Sequence, residues 1–153
     1  MQTRRQASLY LEDMPHIEDL RQRFNPAQAK LIPAHVTLIR EDEVKDWGDV
    51  YRRLQALGDI ALTLEFGAPI RDGNLVYLPV VGGGDRFDEL RAALLPGTPR
   101  KHNPHLTLIH PRNGICSDAV YEDIVNSVTS FTATFTTVRL IEQTGGGPWV
   151  QQA

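Results

Sequence analysis

Apolar and polar residues alternate along several short stretches of the chain, and a period of two is typical of β-strands with one buried face. The clearest case is the stretch 60–66, whose apolar positions are Ile60, Leu62, Leu64 and Phe66. Less regular apolar runs predict further strands at residues 6–11, 33–39, 75–81, 105–109, 131–142 and 149–151. The last two are expected to form a hairpin around the glycines at 145–147, with a bulge where the alternation in 131–142 is irregular.

Four other stretches place apolar residues three and four positions apart, which is the spacing of an amphipathic helix. The first helix is expected to be capped by Asp13, to carry Pro15 in its first turn and to end before Pro26. The others are expected at 44–57, from about 85 to the Pro-Gly segment 96–99, and from a Ser117 cap to Val128. The predicted inward faces are Val44, Trp47, Tyr51, Leu54 and Leu57; Phe87, Leu90 and Leu94; and Val120, Tyr121, Ile124, Val125 and Val128.

The predicted elements follow the same order in both halves of the chain: strand, helix, strand, helix, strand. This order predicts an internal duplication, with lobe-forming halves at about 1–70 and 74–153. No stretch of linker-like composition separates the halves, so a single bilobal domain over 1–153 is favoured over two independent domains. Packing of the halves about a pseudo-two-fold axis would bring their middle strands together along one groove.

The middle strand of each half carries the same short motif. Residues 34–39 read Ala-His-Val-Thr-Leu-Ile, and residues 104–109 read Pro-His-Leu-Thr-Leu-Ile. Because successive side chains of a strand point to opposite faces, His35 and Thr37 are expected on one face, and so are His105 and Thr107. Two such strands supply two imidazoles and two hydroxyls to one groove, which are the parts of a two-histidine acid/base site.

Each motif taken alone is weak, because a His-x-Thr tripeptide arises often by chance and a strand histidine is more often a core residue than a catalytic one. The pair is stronger. Both copies lie in predicted strands at matching places, and a proline, Pro33 or Pro104, marks the start of each strand. We therefore interpret the two histidines and two threonines as one site.

A metal centre is the competing interpretation of the histidines. Catalytic zinc requires about three protein ligands. His102 and His110 are both separated from His105 by an odd number of residues, so they are expected on the other face of the strand. His16 lies in the first turn of a predicted helix and is expected at the surface. No metal ion is therefore expected at the site.

Other polar residues near the motifs are weaker candidates. Arg40 would point away from the motif face of an unbroken strand, and the carboxylates at 41–43 would repel a polyanion. Arg100 and Lys101 precede the second motif and can attract a phosphate, although solvation is the commoner fate of such residues. The glycines at 82–84 precede a helix but lack the Lys-Ser/Thr of a P-loop. The aromatic residues available to stack on a base are Tyr10, Tyr77, Trp47 and Trp149, of which Trp47 fits the predicted helix core.

Composition narrows the class of protein. The chain has 153 residues, of which 41% are hydrophobic, enough for a core of its own. Its formal net charge of −3 argues against tight binding to long nucleic acid, which requires a basic surface. The single Cys116 excludes an internal disulfide and is expected to be buried. The apolar run at 7–11 is too short for a signal peptide, and none is long enough to cross a membrane, so we expect a cytoplasmic monomer without a membrane partner.

The paired motifs His35-Val36-Thr37-Leu38 and His105-Leu106-Thr107-Leu108 resemble the signatures of the two-histidine (2H) phosphoesterase superfamily. This superfamily includes the bacterial RNA 2′,3′-cyclic phosphodiesterases, also called 2′-5′ RNA ligases. The resemblance implies an α+β, bilobal, duplicated fold in which two antiparallel-rich sheets face a central groove with helices outside. It also implies that His35 and His105 are the catalytic pair and that Thr37 and Thr107 bind phosphate, without a metal or other cofactor.

The function that follows is hydrolysis of a 2′,3′-cyclic phosphate on a nucleotide or a short RNA end. One neutral imidazole can take a proton from the attacking water, and one imidazolium can protonate the leaving ribose oxygen. The sequence leaves open which histidine is the base, and whether the product is a 2′- or a 3′-phosphate. Two alternatives also stay open: cleavage or ligation of 2′-5′ linkages, and a nucleotide-binding module without catalysis.

Overall fold

The computed structural model describes residues 2–152 and has an α+β architecture built on antiparallel strands, as expected. Within this range the strands are β1 (Thr3–Tyr10), β2 (His35–Ile39), β3 (Leu62–Phe66), β4 (Ile70–Asp72), β5 (Leu75–Gly82), β6 (His105–Ile109), β7 (Phe131–Phe135), β8 (Arg139–Thr144) and β9 (Trp149–Gln151). The α-helices are α1 (Pro15–Phe24), α2 (Pro26–Ala29), α3 (Trp47–Leu57), α4 (Gly84–Leu94) and α5 (Asp118–Ser127). A 3₁₀ turn covers Glu41–Glu43.

The two motif strands, β2 and β6, are neighbours at the centre of the strand order β7-β3-β5-β6-β2-β1-β8-β9, with β4 paired to β5 outside this path. Their antiparallel pairing consists of one bridge, Val36 opposite Leu106. The outer pairings are longer: β1 pairs with β8 over the six residues from Thr3 to Ser8. The family resemblance implied two antiparallel-rich sheets. In the structure these form one continuous sheet, because β2 and β6 pair along their edges.

The two sides of this sheet do not coincide with the two halves of the sequence. Strand β3 comes from the first half but pairs with β5 and β7 of the second half. Strand β8 comes from the second half but pairs with β1 of the first. The predicted lobe boundaries, 1–70 and 74–153, therefore need correction, because each side of the sheet contains strands of both halves. An alternating pattern specifies the buried face of a strand but not its partner.

The stretch predicted as one bulged strand at 131–142 is two strands in different parts of the sheet. Strand β7 pairs with β3 in register from Leu62–Phe135 to Phe66–Phe131, whereas β8 lies between β1 and β9. The irregular alternation marked the break at 136–138 rather than a bulge. The predicted hairpin around 145–147 is confirmed as β8–β9. Strand β4 was not predicted, because three residues are too few to show a period.

The helix termini agree with the sequence except at the first cap and at the start of α3, which begins at Trp47 after an Asp46 cap and not at Val44. Helix α1 begins at Pro15, but its N-cap is Met14, which makes no side-chain cap hydrogen bond. The predicted cap, Asp13, lies one residue earlier with a φ of 61°, in the left-handed region. Pro26 ends α1 as predicted and also begins the short helix α2, since proline is tolerated at the first helical position. Ser117 caps α5 as predicted, accepting a hydrogen bond from the Val120 amide.

Two predicted helix faces are partly wrong. In α3, Val50 is the buried residue, whereas Tyr51 and Leu57 are 46% and 40% exposed. In α5, Val125 was predicted to face inward but is 43% exposed. The apolar residues of α3 and α5 can be grouped into more than one stripe at helical spacing. Packing against the sheet decides which of these stripes is buried. In α4 the predicted inward residues Phe87, Leu90 and Leu94 are all buried.

One cluster of buried apolar side chains joins the helices to the sheet. The residues that alternate with the motif side chains, Val36 and Leu38 on β2 and Leu106 and Leu108 on β6, all belong to it. Cys116 is a free cysteine and is buried, as predicted. The motif side chains therefore stand on a rigid apolar layer. Among residues 2–152, no helix has the length and apolar character needed to span a membrane.

Candidate active site

The four motif side chains line one pocket of about 390 Å³. His35 and Thr37 are half-buried on β2, and His105 and Thr107 are half-buried on β6, in the same alternating order. The alternation predicted from the sequence is therefore present in both strands. The pairing of Val36 with Leu106 holds the strands side by side, so the two imidazoles and two hydroxyls reach the same space.

Both histidine rings are held in the same way by a backbone carbonyl two residues earlier. Nδ1 of His35 donates to the carbonyl oxygen of Pro33 at 2.9 Å, and Nδ1 of His105 donates to that of Asn103 at 3.0 Å. A carbonyl oxygen only accepts hydrogen bonds, so the proton of each neutral ring sits on Nδ1 and the lone pair on Nε2. The backbone carbonyl two residues before each histidine thus fixes the orientation of the ring, and Nε2 stays available for a proton transfer.

Burial and positive charge act together on His35. Removal from water lowers the pKa of His35 to about 4, although its hydrogen bond to the Pro33 carbonyl acts in the opposite direction. The charges of Arg21, His105 and His110 lower the pKa further. At neutral pH His35 is therefore an uncharged imidazole, which is the form that a general base requires.

Basic side chains surround the motif residues in this pocket. They are Arg4 and Arg5 on β1, Arg21 on α1, Arg40 after β2, and Arg112 after β6. Two have carboxylate partners: Arg5 pairs with Glu142 at 2.9 Å, and Arg21 pairs with Glu18. Within residues 2–152, Arg40 and Arg112 have no ion-pair partner. The pocket therefore offers positive charge to an anion, despite the negative net charge of the chain.

Most of this cationic lining could not be predicted from the sequence. Arg4 and Arg5 lie on β1, Arg21 on α1 and Arg112 after β6, and no spacing in the sequence links these three places. Arg40 was considered but was expected to point away from the motif face. That expectation is wrong, because β2 ends at Ile39 and the alternation does not continue beyond it.

The same reasoning corrects the position of His110. Strand β6 ends at Ile109, so the alternation of side chains does not extend to His110. His110 lines the same pocket as His105. Its Nδ1 accepts a hydrogen bond from the Arg112 amide at 3.0 Å. Burial lowers the pKa of His110, and the charges of Arg112 and Arg4 lower it further. His110 is therefore a neutral polar group at the edge of the site.

The acidic stretch after the first motif is largely neutralised by ion pairs. Asp42 forms two hydrogen bonds with Arg100, at 2.9 and 3.0 Å, which lower the pKa of its carboxyl group. Glu43 accepts from the buried Arg91 at 2.6 and 3.1 Å. Burial alone would raise the pKa of Glu43, but the hydrogen bonds from Arg91 and from the Arg40 amide hold it below its usual value. The expected repulsion of a polyanion is thus reduced at two of the three carboxylates.

Two buried side chains connect the motif strands to the segment before the second motif. Arg91 on α4 donates to the carbonyl oxygen of Leu38 at 2.7 Å and to that of Arg100 at 3.0 Å. His102 donates from Nε2 to the carbonyl oxygen of Thr37 at 3.0 Å, and its ring stacks on Phe87. Neither role shows in the sequence pattern, since the contacts with β2 cross 53 and 65 positions of the chain.

The remaining candidates lie in different places. Among residues 2–152, no three His, Cys, Asp or Glu side chains are arranged to hold a metal ion. Gly83 has a φ of 88°, and a Cβ there would lie 2.2 Å from the Thr63 carbonyl oxygen, so this glycine allows β3 and α4 to approach closely. Trp149 lines the pocket, Trp47 packs against the core, and Tyr10 lies under the Arg139 guanidinium.

Comparison with solved structures identifies the fold. The chain is similar to E. coli LigT complexed with ATP, with a TM-score of 0.58, 14% identity, and coverage of 98% of this chain and 93% of that one. E. coli LigT complexed with NADP+ gives a TM-score of 0.53, 16% identity, and coverage of 98% and 93%. A structure described as a phosphoesterase gives 0.53, 14%, and coverage of 99% and 96%. At these identities the likeness shows the fold, which this chain shares with E. coli LigT and with the structure described as a phosphoesterase.

The family assignment rests on the sequence. Residues 10–150 match the model of the 2′-5′ RNA ligase superfamily, which is nearly the whole chain and includes both motifs. The protein therefore belongs to the 2′-5′ RNA ligase superfamily, a group of phosphoesterases and ligases. No curated protein matches the chain.

Proposed function

We propose that the protein hydrolyses 2′,3′-cyclic phosphates on nucleotides or short RNA ends by two-histidine acid/base catalysis. The observation that carries the proposal is the matched pair of imidazoles in one cationic pocket, each with Nδ1 held by a backbone carbonyl and Nε2 left for proton transfer. Membership of the superfamily supports an enzyme that acts on phosphodiester bonds.

In this proposal His35 is the general base. Its pKa of about 4 keeps the ring neutral at physiological pH, so Nε2 can accept a proton from water as the water oxygen attacks phosphorus. The bond from phosphorus to one ribose oxygen then breaks. His105, protonated on both ring nitrogens, donates the Nε2 proton to that leaving oxygen. One proton is taken and one is given, so the total charge of the pair is unchanged. His35 then loses its proton to solvent and His105 regains one, which restores the starting state.

The threonines and arginines hold the phosphate in this scheme. The hydroxyls of Thr37 and Thr107 can donate to the non-bridging oxygens, on which charge grows in the transition state. Arg40 and Arg112, without ion-pair partners among residues 2–152, can balance that charge. A volume of about 390 Å³ lies within the range of pockets that bind small molecules and suits a nucleotide rather than a duplex.

Two further observations support a nucleotide as the ligand. Trp149 lines the pocket and offers an aromatic face of the kind on which bases stack. The similar LigT structures hold ATP and NADP+. Cleavage or ligation of a 2′-5′ linkage is the second candidate, since the name of the superfamily refers to that bond and the same proton transfers serve it.

A panel of substrates tests the proposal directly. The four nucleoside 2′,3′-cyclic phosphates and a 2′-5′-linked dinucleotide are incubated with the protein in excess EDTA, and the products are separated by chromatography. We expect a nucleoside monophosphate from the cyclic substrates, with unchanged rate in EDTA. Loss of activity on chelation would contradict a metal-independent mechanism. Tight binding of nucleotides without turnover of any substrate would favour the nucleotide-binding module.

A further inference from the structure

A short turn follows the second motif strand and carries two residues of the pocket that contains the histidine pair. It covers residues 110–114, and its pocket residues are His110 and Arg112. The amides of Asn113 and Gly114 close the turn by donating to the carbonyl oxygen of His110, at 3.3 and 2.8 Å. Arg112 has no ion-pair partner within residues 2–152. The place of its side chain in the pocket therefore depends on how the turn itself is held.

One buried side chain outside the pocket holds both ends of this turn. Asn25 lies between α1 and α2 and is 1% exposed. Its Oδ1 accepts a hydrogen bond from the His110 amide at 2.9 Å. Its Nδ2 donates to the backbone carbonyl and to the side-chain oxygen of Asn113, at 3.3 and 3.1 Å. Arg112 therefore lies between two positions that the same side chain fixes.

Packing around Asn25 leaves the turn little room to shift. A Cβ at Gly114 would lie 2.9 Å from Cγ of Asn25 and 2.7 Å from Cγ2 of Ile109, so the turn is in close contact with both. Asn113 also donates from Nδ2 to Oε1 of Gln28 at 2.8 Å, and Gln28 lines the pocket. These contacts join the helix junction, the turn and the pocket wall across 85 to 88 positions of the chain.

The hydrogen bonds at this place require an amide side chain. The turn presents one donor, the His110 amide, and two acceptors, both on Asn113. An amide supplies an acceptor and two donors together, whereas a carboxylate has no donor when it is ionised. An apolar side chain would leave buried polar groups without partners. Asn25 does not line the pocket, so it does not contact a ligand there.

We infer that Asn25 is a positioning residue that acts through Arg112, because it holds the turn after β6 where the guanidinium reaches a phosphate at the histidine pair. This inference rests on the proposed function, in which Arg112 balances the charge of the phosphate. Without the three hydrogen bonds from Asn25 the turn is free to move. The arginine at its centre then loses the fixed geometry that makes a charge-assisted hydrogen bond strong. Asn25 thus contributes to phosphate affinity from outside the pocket.

A double-mutant cycle on phosphate binding tests the inference. The probe is 2′-deoxyadenosine 3′-phosphate, which has no 2′-hydroxyl to react, and its affinity for the full chain is measured by calorimetry. We expect Arg112→Ala to weaken binding by about 10-fold, since hydrogen bonds between charged groups contribute at least that much. Asn25→Ala should weaken binding by about 5-fold, and the milder Asn113→Ala by about 3-fold. In the Arg112→Ala background neither change should weaken binding further by more than about 1.5-fold, because the coupled contact is already lost.

Asn74→Ala is the matched control, because Oδ1 of Asn74 also accepts from a loop amide, that of Cys116 at 3.0 Å, outside the pocket. Any loss of stability to urea in this variant should come without a change in phosphate affinity. Coupled losses in the cycle support the inference even if no cyclic substrate is hydrolysed. Additive losses, or unchanged affinity in Arg112→Ala or Asn113→Ala, overturn it even if cyclic substrates are hydrolysed. If Asn25→Ala does not fold, the cycle with Asn113→Ala decides the question.

Discussion

His35 and His105 have matching hydrogen bonds but different surroundings. Each donates from Nδ1 to a backbone carbonyl, at 2.9 and 3.0 Å, yet the pKa of His35 falls to about 4 because burial disfavours the charged ring and positive charges lie nearby. His105 also lines a second cleft beside the pocket. This difference at the scale of single residues is what assigns the base role to His35 in the proposed mechanism.

Replacement of either histidine tests the pair as a unit. We expect His35→Ala and His105→Ala each to lower kcat by about 10²-fold or more, because each removes one proton transfer. The double variant should be little worse than either single one, since residues that act together are not additive. Thr37→Val and Thr107→Val should cost less, because arginines still hold the phosphate. A folded His35→Ala protein that keeps near wild-type turnover in steady-state kinetics would contradict the mechanism.

The low pKa of His35 also makes the stability of the fold depend on pH. An unfolded histidine titrates near 6.5, whereas His35 in the folded protein titrates near 4, so the unfolded state binds more protons between these values. The free energy of unfolding should therefore fall as the pH drops from about 7 towards 4. The lowered pKa values of His102 and His110 act in the same direction.

Urea denaturation at pH 7.5 and pH 5 measures this dependence. His35→Asn keeps a side-chain N–H near the Pro33 carbonyl but cannot titrate, so it should reduce the loss of stability between the two pH values. His16→Asn removes an imidazole at an exposed position and serves as the control. An unchanged difference between pH 7.5 and pH 5 in His35→Asn would show that burial does not depress the pKa of His35.

At the scale of elements, the buried pair Arg91–Glu43 connects α4, the 3₁₀ turn after β2, and the segment before β6. The side chains are 2% and 5% exposed, and Arg91 also donates to the carbonyls of Leu38 and Arg100. A buried ion pair contributes little net stability by itself, but loss of one partner leaves an uncompensated charge inside the protein. The pair therefore sets the position of one motif strand relative to the approach to the other.

Breaking this pair should destabilise the fold strongly. We expect Glu43→Gln and Arg91→Met each to lower the free energy of unfolding by about 3–5 kcal/mol, measured by chemical denaturation. The double variant should lose less than the sum of the two, because neither charge is then left alone. Asp42→Asn, which breaks the exposed pair with Arg100, should cost much less, because solvent screens that pair. Equal losses of unfolding free energy in Glu43→Gln and Asp42→Asn would contradict the role of the buried Arg91–Glu43 pair in positioning the motif strand.

At the scale of the whole molecule, the exchange of strands joins the two halves of the sequence. The partners of β3 are β5 and β7, both from the second half, and β8 of the second half lies against β1 of the first. Neither half can complete its own part of the sheet. The pocket, which takes residues from β1, β2, β6 and β9, also requires both halves.

Separate expression of the halves tests this arrangement. A fragment of residues 1–70 should be unfolded by circular dichroism and NMR, because β3 then has exposed edges and no partner. Mixing it with a fragment of residues 71–153 should restore folded signals. A folded, cooperative 1–70 fragment would show that the first half is an independent unit and would contradict the single domain predicted from the sequence.

Local patterns predicted much of the fold and the centre of the site. The strand at 62–66, the buried face of α4, the Ser117 cap and the β8–β9 hairpin follow from the spacing of apolar residues and from turn and cap chemistry. The pattern was less reliable where it allowed several solutions, as on α3, or where one irregular run concealed two strands, as at 131–142. The roles of His35, His105, Thr37 and Thr107 remain predictions, although one pocket contains all four.

The sequence by itself determined that two strands each present a histidine and a threonine on one face, because the backbone geometry of a strand fixes that alternation locally. Tertiary structure alone decided which strands are neighbours, which cations reach the pocket, and that Arg40 and His110 join it. Arg4, Arg21 and Arg112 come together only through pairing and packing of elements far apart in the chain. Local sterics encode the direction of a side chain within a strand, whereas its environment depends on contacts that no short stretch of sequence contains.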